Sequence, residues 1–364
     1  MSRAYLDWNA TAPLRPEARN AMRDAMDVAG NPSSVHAEGR AAKALMERCR
    51  AEIAAALGAG SADIVFTSGA TEAAALALAG RRVAASEAEH DCVLAWADPV
   101  AALGVGADGR IVGGDRNADP ADLLAVQAAN SETGIVQAPG DVARAAGADR
   151  IGLTDAVQAI GKMPFAFDWS GADMALVSAH KIGGPKGIGA LVLRRGLDIA
   201  ARIRGGGQEM SRRAGTENLI GIAGFAAAAR AAQVDLDRGE WDRVRELRNV
   251  LESLLEAGEH PTISVGKAAP RLPNTLCVIA PGWKGETQVM RMDLEGFAIS
   301  AGSACSSGKV RESRVLRAMG YGQGEADCAV RISLGPATTE RDVRRFADAW
   351  RVARDKAMAR RPAA

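Results

Sequence analysis

Eight of the 45 basic residues are lysines, at positions 43, 162, 181, 186, 267, 284, 309 and 356. Lys181 stands apart, because Ser178-Ala179-His180-Lys181 follows the apolar run Met174–Val177 and leads into Gly183-Gly184. That context places it at a sheet edge rather than on a helix face. A lysine whose pKa is lowered from ~10.4 at such a place can form a Schiff base with an aldehyde cofactor. Asp155 comes 26 residues earlier, also at the end of an apolar run, Ile151–Thr154. A carboxylate there suits the ring nitrogen of pyridoxal phosphate, keeping it protonated so that the ring accepts electrons. The plainer alternative for Asp155 is a helix cap, and the two readings are evenly matched on this segment alone.

Three further residue types bear on the same chemistry. Ser68-Gly69-Ala70-Thr71-Glu72 lies between a strand pattern and an Ala-rich helical one, so backbone N–H groups and the Thr71 hydroxyl meet at a helix N-terminus that favours phosphate. A simple N-cap is the competing reading. His90, at the end of its own run, has the chemistry to stack on a ring and relay protons, although a lone histidine more often serves structure. Cys305 lies in Gly302-Ser303-Ala304-Cys305-Ser306-Ser307-Gly308, a small, polar, glycine-bounded loop suited to a reactive thiolate. A loop cysteine of no consequence is the alternative. Cys277, in Leu276-Cys277-Val278, has the setting of a structural cysteine.

Two glycine-rich stretches are set aside. Gly104-Val105-Gly106-Ala107-Asp108-Gly109 matches a dinucleotide fingerprint literally, but Arg110-Ile111-Val112 continues as a strand where a helix is required, so it reads as a turn. Gly183-Gly184-Pro185-Lys186-Gly187 lacks the spacing of a P-loop.

Short apolar runs alternating with Ala-rich helical segments predict an α/β fold. Strands are expected at 64–67, 82–85, 124–128, 151–154, 174–177 and 190–193, and later at 275–279 and 330–334. Polar residues gather just beyond the ends of the earlier runs, which is where ligands bind in open α/β sheets. Residues 217–255 read as largely helical and join two domains, and 339–357 as an amphipathic helix capped by Thr339.

Composition narrows the function classes. The chain has 364 residues with a formal net charge of +1, 48% hydrophobic and 24% charged residues. This is an ordinary globular balance with room for about two domains, and it argues against a nucleic-acid partner. Five cysteines without a CxxC pair fit neither a disulfide framework nor a zinc ribbon, and no metal ligand set is expected. Without a signal-peptide pattern or an uncharged apolar run of ~18 residues, the expectation is a cytoplasmic protein with no membrane segment.

Taken together, the motifs resemble the NifS/IscS-like cysteine desulfurases of the class V aminotransferase group. They run in order along nearly the whole chain. Asn9-Ala10-Thr11-Ala12-Pro13, Gly30-Asn31-Pro32, Phe66–Glu72, Glu89-His90 and Asn130-Ser131-Glu132-Thr133-Gly134 come first. Asp155-Ala156-Val157-Gln158, Ser178–Lys181, Gly205–Glu209, Arg213–Asn218, Gly302–Cys305 and Arg331–Gly335 complete the series.

The resemblance implies a type I pyridoxal-phosphate fold. Its large domain (14–250) carries a mostly parallel seven-stranded sheet flanked by helices, and 1–13 with 251–364 form a smaller α+β domain bearing the catalytic loop. It implies pyridoxal 5'-phosphate on Lys181, with Asp155 on the ring nitrogen, Gln158 on the ring hydroxyl and His90 stacked on the ring. Ala70, Thr71, Ser178 and His180 would hold the phosphate, joined by Thr216 from the other subunit of a homodimer. Arg331 would pair with the carboxylate of L-cysteine and Cys305 would accept its sulfur, for delivery to a sulfur-acceptor or iron–sulfur scaffold protein. Relatives commonly have a second asparagine where this chain has Ser131, so the substrate contact falls to Asn130 or Ser131. The alternatives are another class V enzyme, an aminotransferase or selenocysteine lyase, and, from a different class, a non-catalytic scaffold.

Overall fold

The computed structural model describes residues 3–112, 121–302 and 312–359. The chain opens with a short strand, β1 (Ala4–Tyr5), and two helices, α1 (Pro16–Met26) and α2 (Ala37–Ala56). Proline at the first position starts α1, where its missing N–H costs nothing. His36 caps α2 by accepting from the Gly39 N–H.

The large sheet follows: β2 (Ala62–Thr67), β3 (Val83–Ser86), β4 (Ala97–Val105), β5 (Ile111–Val112), β6 (Leu123–Ala125), β7 (Ile151–Asp155), β8 (Met174–Ser178) and β9 (Gly189–Arg194). Its order is β2-β9-β8-β7-β6-β3-β4-β5, and all strands except β9 and β5 run the same way. The carboxyl ends of β2, β3, β7 and β8 therefore share one edge of the sheet.

The expected seven strands are eight among the described residues. After Val105 the chain turns at Gly106–Gly109, where Gly109 has φ +75°, and returns as the two-residue β5. This hairpin is what the GxGxxG match becomes. Strand β6 also starts a residue early and ends at Ala125 rather than at 128; beyond it the Gln127 N–H donates to the Glu89 carboxylate instead of to a neighbouring strand.

Both faces of this sheet are covered, which is why its strands read as nearly continuous apolar runs. Alternate residues divide between two cores. Ile64, Phe66, Val177 and Val192 face one core shared with α1, α2 and α7 (Leu219–Asp237). Val65, Leu153, Leu176 and Leu191 face the other, closed by α3 (Ala70–Leu78) and α4 (Asp91–Leu94). The remaining helices along this stretch, α5 (Asp141–Ala146) and α6 (Phe167–Ser170), are short. Helix α7 is long and apolar enough to cross a membrane by composition, yet its Ile222, Phe225 and Ala229 are buried in the first core.

Helix α8 (Glu240–Glu256) leads to a second sheet of order β10-β11-β14-β13. Its strands are β10 (Ile263–Ser264), β11 (Thr275–Ile279), β13 (Ser300–Ala301) and β14 (Ala329–Ser333), while β12 (Phe297–Ala298) pairs in parallel with β1. Helices α9 (Gly285–Leu294), α10 (Arg314–Ala318), α11 (Gln323–Ala326) and α12 (Glu340–Ala359) complete the chain. Leu6, Val278, Ile332, Phe346 and Trp350 form a separate core here, with Trp350 Nε1 donating to Gln288 Oε1 at 3.0 Å. The expected cap of α12 is present: Thr339 Oγ1 accepts from Asp342 N–H, and Asp342 Oδ2 accepts from Thr339 N–H.

Candidate active site

A cavity of about 630 Å³ opens at the shared carboxyl edge. The ends of β7 and β8 deliver Asp155, Ser178, His180 and Lys181, and the start of α3 delivers Gly69, Ala70 and Thr71. Gln158, His90 and Ser131 line it too, and Arg331 reaches it from β14 in the second sheet. Residues distributed along most of the chain thus face one space.

The phosphate-binding expectation meets a close backbone packing. A Cβ at Gly189 would lie 2.5 Å from the Val177 carbonyl oxygen and 2.7 Å from Gly69 Cα, so glycine is required where β9 passes the start of α3. Ahead of that helix, the Ser68 N–H donates to Glu72 Oε2 at 2.7 Å, and Glu72 accepts from Arg213 Nε at 2.8 Å. Glu72 is consequently held below its ordinary pKa, against its own burial, by Arg213 and Ser68. An N-terminal helix turn and the Ser178 hydroxyl then border the cavity, a set of donors that fits a phosphate.

Asp155 is buried, with Oδ1 accepting from Val157 N–H at 2.9 Å. Burial pushes its pKa up, and His90, that N–H and Lys181 pull against it. His90 Nδ1 accepts from Cys92 N–H at 3.1 Å, which leaves Nε2 as the ring's other position. His180 is driven down to about 4 by burial and by Lys181, Lys186 and Lys162, so it is neutral at pH 7, with Nδ1 3.2 Å from Thr11 Oγ1. Lys181 Nζ donates to the carbonyls of Asn9 at 2.7 Å and Ala10 at 2.9 Å. A primary amine, a buried carboxylate and a helix N-terminus with hydroxyls on one cavity match the three chemical groups of pyridoxal phosphate.

Arg331 donates from Nη2 to Asp7 Oδ1 at 2.8 Å and from Nη1 to the Ser131 carbonyl at 3.2 Å. Of the pair Asn130 and Ser131, it is Ser131 that lines the cavity. Asn130 is turned into its own loop, where Oδ1 accepts from the N–H groups of Glu132 and Thr133 and Nδ2 donates to the Ala88 carbonyl. Thr216 sits on an exposed loop and does not line this cavity. Cys305 lies outside the described residues. The other four cysteines are buried and unpaired, and burial raises the Cys277 thiol well above its ordinary pKa.

Nothing in the sequence marks a role for Asn9, which stands within the Asn9–Pro13 motif, or for Lys162, which is one of eight lysines. The Asn9 side chain bonds Ser131, Thr275, Asn274 and Lys162, and its carbonyl accepts from both Lys181 and Gln158.

The fold and this arrangement define a class of protein. The aminotransferase class V family model matches residues 4–346, and the chain belongs to that family. Its relatives narrow the assignment. The chain is 43% identical to a cysteine desulfurase of Frankia sp. (strain EuIK1), over 94% of this chain and 89% of that protein. It is 37% identical to a cysteine desulfurase IscS of Dictyoglomus turgidum, over 93% and 91% respectively. Among solved structures, a NifS-like protein from Rickettsia africae ESF-5 superposes with TM-score 0.87 at 30% identity, covering 97% of this chain and 99% of that one. The chain is a member of the cysteine desulfurase family, whose enzymes depend on pyridoxal phosphate.

Proposed function

We propose that this chain binds pyridoxal 5'-phosphate, takes L-cysteine as substrate and yields L-alanine and a persulfide on Cys305. The observation that carries the reading is the placement of Lys181, Asp155, the start of α3 and Arg331 around one cavity. When bound, the cofactor supplies an electron sink for the bond-breaking steps.

The residues divide the work by their chemistry. Lys181 is the amine that would hold the cofactor's aldehyde carbon, and its Nζ, with His90 assisting, would take and return the substrate's α-proton. Asp155 holds the ring nitrogen's proton, Gln158 donates to the ring hydroxyl oxygen, and His90 stacks on the ring. Ala70, Thr71, Ser178 and His180 hold the phosphate, with Thr216 contributed by the second subunit of a homodimer. The Arg331 guanidinium takes the substrate carboxylate, a role suited to its planar fork. Asn130 shapes the wall on which Ser131 faces the substrate. The Cys305 thiolate attacks the substrate sulfur: an S–S bond forms, the C–S bond breaks, and its electron pair stays with the carbon that is then protonated. The persulfide passes to a sulfur-acceptor or iron–sulfur scaffold protein. The separate cores around the two sheets support a larger cofactor-carrying unit and a smaller one that includes the N-terminal strand. Trp241, Val244 and Leu247 of α8 pack in the second-sheet core, however, so the smaller unit takes in α8 and begins before the expected boundary at 250.

Two variants test the reading. Lys181→Ala is expected to lose the visible absorption of bound pyridoxal phosphate. Cys305→Ala is expected to keep it but to stop sulfide release, with the added sulfur found by mass spectrometry on Cys305 in the parent protein after cysteine treatment. Unchanged turnover by Cys305→Ala would favour an aminotransferase or another class V chemistry.

A further inference from the structure

Lys162 is buried, at 2% exposure, in the turn that follows Asp155. Its Nζ lies 2.5 Å from Gln158 Oε1 and 3.0 Å from Asn9 Oδ1. Whether the amine carries two N–H groups or three, both contacts place an N–H against an amide oxygen. Neither amide can be turned over. Asn9 Oδ1 also accepts from Asn274 Nδ2 at 3.0 Å, and Asn9 Nδ2 donates to Thr275 Oγ1 at 2.8 Å. Gln158 Nε2 donates at 3.0 Å to the Asn9 carbonyl, which can only accept.

The orientation of Gln158 thus follows from its neighbours rather than from its own sequence position. With Oε1 occupied by Lys162, the group that Gln158 has left to offer the cavity is the second N–H of Nε2. A reversed amide would show a carbonyl oxygen there, and that would repel a phenolic oxygen on a bound ring. Among the described residues, the charged groups that act on Lys162 are Lys181 and Arg331, both cationic. A buried amine with no carboxylate among them serves as a hydrogen-bond donor rather than as half of an ion pair.

We infer that Lys162 is a positioning residue: by donating to Gln158 Oε1 it sets the amide so that Nε2–H faces the ring hydroxyl oxygen of pyridoxal phosphate. This rests on the placement of Gln158 at that oxygen in the proposed function. A donor at this oxygen favours its unprotonated form, so losing the donor shifts the pH at which the cofactor's visible band changes.

The test uses the full chain reconstituted with pyridoxal phosphate and titrated by absorbance. Lys162→Met removes the donor and is expected to move the band's pH midpoint up by about one unit and to weaken cofactor binding roughly tenfold. Lys162→Gln returns an N–H at similar reach and is expected to recover most of both. A midpoint unchanged in folded Lys162→Met overturns the proposal, as does Lys162→Gln behaving like Lys162→Met, which would assign the effect to charge. Should Lys162→Met not fold, Lys162→Leu, which likewise offers no donor and leaves little room for water, is read against the same two outcomes. A parent protein that binds no pyridoxal phosphate overturns this inference together with the proposed function, whereas a normal parent band with unshifted variants overturns this inference alone.

Discussion

Arg331 and Asp7 form an ion pair between the second sheet and the segment just after β1, Nη2 to Oδ1 at 2.8 Å, with the arginine side chain 3% and the aspartate 16% exposed. The pair holds one end of the guanidinium while Ser131 holds another, and Nε is buried without a hydrogen-bond partner among the described residues. A fixed, incompletely satisfied guanidinium at a cavity wall is suited to an incoming carboxylate. Arg331→Lys keeps a charge but loses the two-pronged geometry. It is expected to raise KM for L-cysteine by roughly tenfold or more, the scale of one lost charge-assisted hydrogen bond. Steady-state kinetics at saturating pyridoxal phosphate measure this, and an unaltered KM would take Arg331 out of the role.

Gly189 makes the second prediction. An added Cβ meets the Val177 carbonyl and Gly69 Cα, both backbone, so relief requires β9 and the start of α3 to separate. Overpacking of this kind costs about 1–3 kcal/mol. Gly189→Ala is therefore expected to weaken pyridoxal phosphate binding by tenfold or more, read by titrating the cofactor into stripped protein. Wild-type affinity in the variant would mean that this approach does not shape the phosphate cradle.

The third concerns Glu89, a neighbour of His90. It is buried, its Oε1 accepts from Gln127 N–H at 2.5 Å, and its Oε2 has no hydrogen-bond partner among the described residues. Burial first, then Asp155, pushes its pKa from 4.5 up to about 8. An acid that holds its proton more tightly when folded stabilises the fold below its unfolded pKa and loses that contribution as pH rises through the folded one. The window here runs from about 4.5 to 8. Glu89→Gln keeps an acceptor for Gln127 and no longer ionises, so it is expected to raise Tm relative to the parent at pH 9 by a few degrees, with little difference at pH 5. Parallel Tm-against-pH curves for the two proteins would contradict this.

The fourth lies in the loop leading to Thr216. Glu209, Met210 and Ser211 have φ of 49°, 56° and 63°, three successive non-glycine residues in the left-handed region. The buried Glu209 carboxylate accepts from Arg50 Nη1 and Nη2, each at 2.8 Å, and from the Phe66 N–H at 2.8 Å. Those bonds hold the turn against its strain. Ser211→Gly should stabilise the protein by about 0.5–1 kcal/mol, the left-handed penalty removed less glycine's extra chain entropy. Arg50→Ala, which strands the Glu209 charge, should cost about 3–5 kcal/mol. Denaturant unfolding measures both, and a destabilised Ser211→Gly would show that the serine side chain matters more than its backbone.

Much of the site was legible because strand ends announce themselves. An apolar run followed at once by Asp155, or by Ser178 through Lys181, marks the carboxyl edge of a sheet, and polar residues there have a single cavity to share. The motif series added roles that no single segment carried. What stayed hidden depends on contacts across long separations in sequence. Asn9 meets Thr275 and Asn274 more than 260 positions away, and nothing near Asn9 signals those partners. Lys162 looks like any lysine after a turn until its neighbours are placed.

By itself, the order of residues determined the α/β class, the strand ends and the types of side chain set at the sheet's edge, because period and composition are local properties of the chain. Tertiary structure decided that Arg331 of β14 comes to a cavity built on the other sheet, that Ser131 rather than Asn130 faces it, and which way Gln158 turns. These are decided by the pairing of hydrogen-bond donors with acceptors, and that pairing exists only once the distant partners are packed together.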